Sequence, residues 1–160
     1  MPSTTISNPR DLLVQLLGEL LYVERRLADA VLRDLEQAVR DDELTELLAQ
    51  HREQTTEHAE RIETAFRRLS VAPTSNLSRS FESAVAQHDE LAQAIEEPRL
   101  ADLFHAQAAL QTEHWEMAAY RTVLRLVDEE VAGLLRPSFE EEGDAARKLV
   151  LTIDRLAAVR

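Results

Sequence analysis

Apolar residues recur at alternating steps of three and four along most of the chain, which is the spacing of helices that pack in a bundle. The first helix is predicted to begin at Asn8-Pro9, where asparagine caps and proline occupies the first turn, and to end near residue 40. Its inward face is predicted to carry Leu13, Leu17, Leu20, Glu24, Leu27, Val31, Leu35 and Ala38. A glutamate thus occupies the middle of an otherwise apolar face.

A second helix is predicted from about residue 42 to residue 70, after an acidic turn at Asp41-Asp42 that suits a helix N-terminus. Its inward face is apolar at both ends and polar over three turns in the middle. That face carries Leu44, Leu47 or Leu48, His51, Gln54 or Thr55, His58, Ile62, Ala65 or Phe66, and Leu69. The second helix therefore also places polar groups at core positions.

Residues 70–97 are predicted to form a long crossover connection. Proline, serine and threonine over 70–77 indicate a loop, and a short helix is predicted at about 78–96. Pro98 then opens a third long helix that runs to about residue 128.

The last two long helices also carry carboxylates on their apolar faces. Glu113 and Glu116 share one face of the third helix with several alanines, Tyr120 and Val123. The fourth helix follows a turn within 127–133, runs nearly to the C-terminus, and carries Glu142 in the middle of its inward face. Pro137 and Gly143 predict a kink or a late start in this helix.

These elements predict an all-α fold of two antiparallel helical hairpins joined by the long crossover, which is the topology of ferritin-like four-helix bundles. With 160 residues the chain is expected to form a single domain, and residues 1–7 are expected to be a flexible lead.

The polar positions of the four helices are predicted to meet. Folding the first hairpin near residue 41 places His58 at the height of Glu24, and folding the second near 128–129 places Glu142 near Glu116. A buried carboxylate is costly unless it is protonated, paired or bound to a cation. Two divalent metals, Fe, Mn or Zn, would suit such a group of carboxylates and imidazoles. The candidate metal ligands are Glu24, His51, His58, Glu113, Glu116 and Glu142.

The two histidines are not equivalent candidates. His51 lies two turns from His58, about 10 Å along the helix, so both cannot bind the same ion. His51 is therefore interpreted as structural, or as a ligand if the helix register differs. Tyr120 is a candidate hydrogen-bond donor to a ligating carboxylate. His88, His105 and His114 are interpreted as structural or surface residues, and the acidic neighbours of Glu142 as solvated.

Composition excludes several classes of function. The net charge of −12 disfavours binding to nucleic acid or anionic membranes, and the absence of cysteine excludes disulfides and thiolate catalysis. The sequence shows no long apolar run and no features of a signal peptide, so a cytoplasmic location is expected.

Several segments resemble the YciE/YciF family of ferritin-like bacterial stress proteins over residues 9–156. They are Leu16-Leu17…Glu24, His51…Thr55…Glu60-Arg61-Ile62, Glu113-His114-Trp115-Glu116-Met117-Ala118-Ala119-Tyr120 and Glu140-Glu141-Glu142. The resemblance implies a bundle that is usually dimeric, with a site like that of rubrerythrins. Where relatives commonly carry a carboxylate, this chain has Gln54, and where they tend to have an aspartate it has Ala146.

The residues leave more than one function open. One is a stress protein that binds one or two divalent metals, iron in particular, among the inward carboxylates and histidines and links iron chemistry to O2 or peroxide. The other is a non-enzymatic homodimeric bundle with a degenerate or empty metal site that serves as a structural or interaction protein. A third, weaker hypothesis is an inner cavity near Ala106, Ala109 and Ala145 that admits a small organic ligand.

Overall fold

The computed structural model describes residues 5–158, and within that range the chain is helical with no strand. The helices are α1 (Pro9–Arg26), a π-helical segment (Leu27–Val31), α2 (Leu32–Ala38), α3 (Asp42–Arg68), α4 (Arg79–Ala92), α5 (Pro98–Leu126) and α6 (Glu129–Ala158). Together, α1, the π-helical segment and α2 make up the predicted first helix. Residues 1–4 of the predicted flexible lead lie outside the described residues.

The helices begin where the sequence predicts because side chains cap their free amide groups. The Asn8 side chain accepts a hydrogen bond from the amide of Asp11, and Asp41 accepts one from that of Leu44. Glu97, before Pro98, accepts bonds from the next two free amides of α5. Such caps typically stabilise a helix by about 1 kcal/mol each.

The first helix of the bundle corrects one prediction. After the π-helical segment the buried positions are Leu32, Leu35 and Val39, whereas Ala38 is exposed and Val31 only partly buried. The amide of Leu32 bonds to the carbonyl of Leu27, five residues earlier, so the segment holds one more residue than a regular turn. Leu32 and Val39 therefore take the places predicted for Val31 and Ala38, while Leu35 is buried as predicted.

The fourth long helix of the bundle corrects a second prediction, that of its start. It starts at Glu129 and continues through Pro137, so the alternative of a late start was wrong. Proline removes its own hydrogen bond to residue 133, but apolar residues on both sides of it, such as Val131 and Leu149, are buried in the core. Burial of both halves holds the helix together across the lost bond. In the crossover, α4 ends at Ala92, four residues before the predicted end near residue 96.

Two apolar clusters fill the bundle and leave a polar layer between them. One contains Leu17, Phe66 and Leu135, and the other contains Leu44, Ala106 and Leu149. In the sequence of α3, α5 and α6, the polar inward residues lie between members of the two clusters. The clusters thus hold the polar layer in place from both ends.

The crossover loop packs closely on α1 at Gly18. The amide of Asn76 donates to the Gly18 carbonyl at 2.9 Å, and a Cβ at Gly18 would lie 2.3 Å from Asn76 Nδ2. At Gly133 in α6, by contrast, a Cβ would meet no heavy atom of the described residues within 4 Å. Only the first glycine is therefore required by a close approach.

We expect Gly18→Ala to destabilise the protein by about 1–3 kcal/mol, because the Asn76 side chain must move away from its hydrogen bond with Gln15 to admit the methyl group. The matched substitution Gly133→Ala should stabilise it by about 0.5–1 kcal/mol, since alanine is the better helix former. Urea unfolding of the two variants measures both effects. Equal effects at the two sites would contradict this view of the crossover.

Candidate metal centre

All six predicted ligands lie together in the polar layer. Glu24 comes from α1, His51 and His58 from α3, Glu113 and Glu116 from α5, and Glu142 from α6; each is at most 3% exposed. The predicted pairing of Glu24 with His58 is present, with 3.4 Å between Oε2 and Nδ1. That these residues bind a metal stays a prediction.

Five of the six form two groups with the spacing of metal ligands. One group is Glu24, His58 and Glu142, and the other is His51, Glu113 and Glu142; in each, one donor atom per residue lies within 4.8 Å of the others. Glu142 belongs to both groups. Its Oε1 lies 2.8 Å from His58 Nδ1, and its Oε2 lies 3.4 Å from His51 Nε2. The two oxygens of one carboxylate thus face different groups.

Buried polar atoms without partners test whether these residues fit a metal. Eight nitrogen and oxygen atoms of the six residues have no hydrogen-bond partner among residues 5–158. His51 Nε2 lies 3.1 Å from Glu113 Oε1, for example, but the angle does not suit a hydrogen bond. The same is true of the contacts that His58 Nδ1 makes with Glu24 and Glu142. Each unsatisfied buried group costs about 1–3 kcal/mol. Donor atoms that converge without bonding to each other fit a divalent cation.

Glu116 is in neither group but contributes to the same layer. Both of its carboxylate oxygens are buried without a partner among the described residues. Burial raises its pKa well above the ordinary value, and the charges of Glu142 and Glu24 raise it further. Glu116 therefore adds a second buried carboxylate on α5 to the polar layer.

The pKa values show how the layer is neutralised by protons. Burial raises the pKa of Glu113 to about 7 and that of Glu142 to about 8. Burial alone would lower the pKa of His58, but the carboxylates of Glu24 and Glu142 outweigh it and raise the pKa to about 11. The layer accordingly binds protons that a divalent cation would displace.

We expect the stability of the metal-free protein to fall as the pH rises from about 5 to 8. Glu113 and Glu142 have pKa values above the ordinary 4.5, and His58 has one above 6.5, so the folded state binds more protons than the unfolded state in this range. Stabilisation by added metal should instead grow with pH, because fewer protons compete. Thermal unfolding at several pH values, with and without metal, measures both trends, and parallel trends would contradict this explanation.

The two imidazoles have similar partners on the side away from the ligand groups. His58 Nε2 lies 2.8 Å from Glu141 Oε2, and His51 Nδ1 lies 3.4 Å from Gln54 Oε1. In each histidine, an acceptor beside one ring nitrogen fixes the proton on that nitrogen and leaves the other nitrogen free to bind a metal. Arg61 holds Glu141 by a 2.7 Å hydrogen bond. Glu141 was wrongly interpreted as solvated, and its contact with His58 gives it a positioning role.

Removing the Glu141 carboxylate should weaken metal binding, although Glu141 itself is not one of the candidate ligands. We expect Glu141→Ala to lower metal affinity about 10–100-fold, as is typical for partners of ligating histidines. Glu140→Ala is the matched control, because Glu140 is the exposed neighbour on the same helix. Metal titration monitored by calorimetry gives both affinities, and equal affinities would show that Glu141 does not position His58.

The remaining candidates have simpler positions. The Tyr120 hydroxyl donates a 2.5 Å hydrogen bond to Glu24 Oε1, which confirms the predicted donor. His88 and His105 bond to each other at 3.0 Å, and His114 is exposed. Ala146, where the resemblance implied an aspartate, is buried and offers no donor atom. Within residues 5–158, no helix combines the length and apolar character needed to cross a membrane.

Comparisons with known proteins agree with the fold and the predicted resemblance. Residues 8–159 match the family described as a domain of unknown function, DUF892. Protein YciF of Escherichia coli K12 is 27% identical over 142 residues, covering 82% of each chain.

Solved structures show the same architecture. YcfI of Rhodopseudomonas palustris, provisionally described as a structural protein, has a TM-score of 0.88 at 25% identity, covering 93% of this chain and 97% of its own. The E. coli stress protein YciF also has a TM-score of 0.88, at 24% identity, over 97% and 100% of the two chains. A two-domain protein of Anabaena variabilis with DJ-1/ThiJ/PfpI-like and ferritin-like domains has a TM-score of 0.67 at 15% identity, over 96% of this chain and 39% of that one.

The predicted ferritin-like bundle and the YciF-like resemblance are both confirmed. The chain belongs to the DUF892 family.

Proposed function

We propose that the chain is a stress-associated, ferritin-like metal protein that holds two divalent ions, iron in particular, in the polar layer. The observation that supports it most strongly is the pair of ligand groups that share Glu142, with eight buried polar atoms lacking partners among residues 5–158. Oxygen and imidazole donors suit iron, manganese and zinc. The description of the similar E. coli protein YciF as a stress protein supports the proposed association with stress.

Each residue of the layer has a role in this proposal. Glu24 and His58 would hold one ion, His51 and Glu113 would hold the other, and Glu142 would contribute to both groups. Iron bound there would supply electron transfer to O2 or peroxide. The two apolar clusters keep bulk water away, while Tyr120 orients Glu24 through its short hydrogen bond. Glu116 supplies two further oxygens and negative charge.

Iron oxidation tests this function. Metal-free protein is loaded with Fe(II) without oxygen, desalted and exposed to O2 or peroxide, and the remaining Fe(II) is measured with a colorimetric chelator. We expect protein-bound iron to be oxidised with matching loss of oxidant. Retained iron that does not react would contradict the redox function but leave metal binding intact.

The second candidate is a homodimeric structural protein with a degenerate or empty site. The neutral Gln54 beside His51 and the buried Ala146 favour it, as does the provisional description of YcfI as a structural protein. This alternative predicts that Glu24→Ala leaves function intact and that added metal does not raise the melting temperature. Light scattering tests the homodimer directly.

A further inference from the structure

A cavity of about 770 Å³ lies between α4 and the neighbouring helices of the bundle. Its walls come from the end of α1, the π-helical segment, α2, α4 and α5, and they are mainly apolar. Residues on the walls include Leu27, Val31, Leu35, Phe81, Val85 and Trp115. Pockets that hold small organic molecules typically measure about 300–1,000 Å³ and have such walls. Of the three alanines named for a predicted inner cavity, Ala109 lines this one, whereas Ala106 and Ala145 do not.

The crossover helix covers this space without filling it. Phe81 is the buried residue of α4 within the described chain, and Leu91, at the cavity wall, remains 48% exposed. Polar contacts hold the helix in place, with Tyr22 donating to Glu82 at 2.8 Å and His88 bonding to His105 at 3.0 Å. An unfilled apolar space forfeits dispersion contacts. A ligand in the cavity would restore them.

Aromatic faces and the π-helical segment shape the cavity. The His88 ring stacks on that of Phe104 with 5.2 Å between centroids and 3° between planes, and both residues line the wall. Leu27 and Val31, the ends of the π-helical segment, also line it. Segments of this kind frequently lie at functional sites. Aromatic side chains on the wall favour a ligand that itself has an aromatic ring.

Burial against mainly apolar walls is costly for any charged ligand, and the charges of this chain disfavour an anion in particular. Among the described wall residues the one Lys or Arg is Arg26, which is paired with Glu82 at 3.0 Å. Glu113 lies at the wall as well, and the chain carries a net charge of −12. An anion would lack a free cation here and would meet repulsion.

We propose that the cavity binds a small, neutral, mainly apolar aromatic molecule in contact with Trp115. Glu113 belongs both to the wall and to the candidate metal centre, so the bound molecule lies beside that centre. Binding itself requires only the apolar walls. This inference therefore goes beyond the proposed metal chemistry and holds with or without a metal.

The single tryptophan provides a direct test, because Trp115 lies in the wall. Metal-free protein in chelator is titrated with the neutral fluorophore N-phenyl-1-naphthylamine, and quenching of Trp115 emission is followed. We expect saturation at one probe per chain. Ala108→Phe, which fills the cavity, should weaken binding about tenfold or more, whereas Ala118→Phe, exposed on the same helix, should leave it unchanged.

A second pair of variants avoids changes in the interior. Leu91→Glu places a charge at the cavity wall and should also weaken probe binding, whereas Leu151→Glu, at an exposed leucine of α6, should not. Non-saturable quenching, or equal affinity in Leu91→Glu and Leu151→Glu, would overturn the proposal. Probe binding that appears only when a dimer is diluted into monomers would also overturn it, because a second copy would then fill the cavity. Failure of iron loading alongside saturable probe binding would count only against the metal centre.

Discussion

Glu142→Gln should abolish tight binding of both metal ions, whereas Glu24→Gln and Glu113→Gln should each abolish only one. Glu142 is the residue that the two ligand groups share, and its oxygens face His58 and His51 separately. The amide keeps the shape of the side chain but removes its negative charge. We expect affinity at each affected position to fall by at least about 100-fold, beyond the loss caused by changing a supporting residue.

Anaerobic calorimetric titration with Fe(II) gives the number and affinity of the ions for each variant. Glu140→Gln is the matched control, because Glu140 is exposed and lies two residues from Glu142 on α6. It should bind iron like the unchanged protein. Two tightly bound ions in Glu142→Gln, or the loss of both ions in Glu113→Gln, would show that Glu142 is not the shared ligand.

Glu116→Leu should have opposite effects on the metal-free and the metal-loaded protein. In the metal-free protein it replaces two unpartnered buried oxygens by apolar atoms, so we expect stabilisation by about 1–4 kcal/mol. With metal present, the variant loses a carboxylate that offsets the charge of the ions. The rise in melting temperature on metal addition should therefore become much smaller.

Unfolding in urea, with chelator and with metal, measures both effects. Glu60→Leu is the control, because Glu60 is exposed on α3 and its replacement should change stability by less than about 0.5 kcal/mol. Destabilisation of the metal-free Glu116→Leu protein would mean that Glu116 has a stabilising partner. An unchanged metal effect would place Glu116 outside the metal centre.

Hydrophobic periodicity was sufficient to predict the bundle and the six residues of the polar layer. Glu24 and Glu142 interrupt regular apolar faces, and counting residues from the turns placed them opposite His58 and Glu116. This works because a helix converts position in the sequence into height along its axis. Short turns between antiparallel helices then bring equal heights together.

Other features of the site and the fold could not be predicted from hydrophobic periodicity, because they depend on how far side chains reach and on irregular backbone. The helical count favoured a structural role for His51, because His51 and His58 cannot share one ion. The two rings do belong to separate ligand groups, with centroids 6.2 Å apart, so His51 has a group of its own. Glu141 precedes the inward Glu142 by one residue, but its side chain still reaches His58. Because Val31 and Leu32 are both apolar, the sequence did not distinguish the regular four-residue step from Leu27 from the five-residue step of the π-helical segment.

Anomalous scattering at the iron edge from crystals of Fe(II)-loaded protein tests the central claim most directly. We predict two peaks in the polar layer, one among Glu24, His58 and Glu142 and the other among His51, Glu113 and Glu142. Crystals grown with chelator provide the control. The absence of any iron peak within the polar layer of the loaded protein would contradict the metal centre.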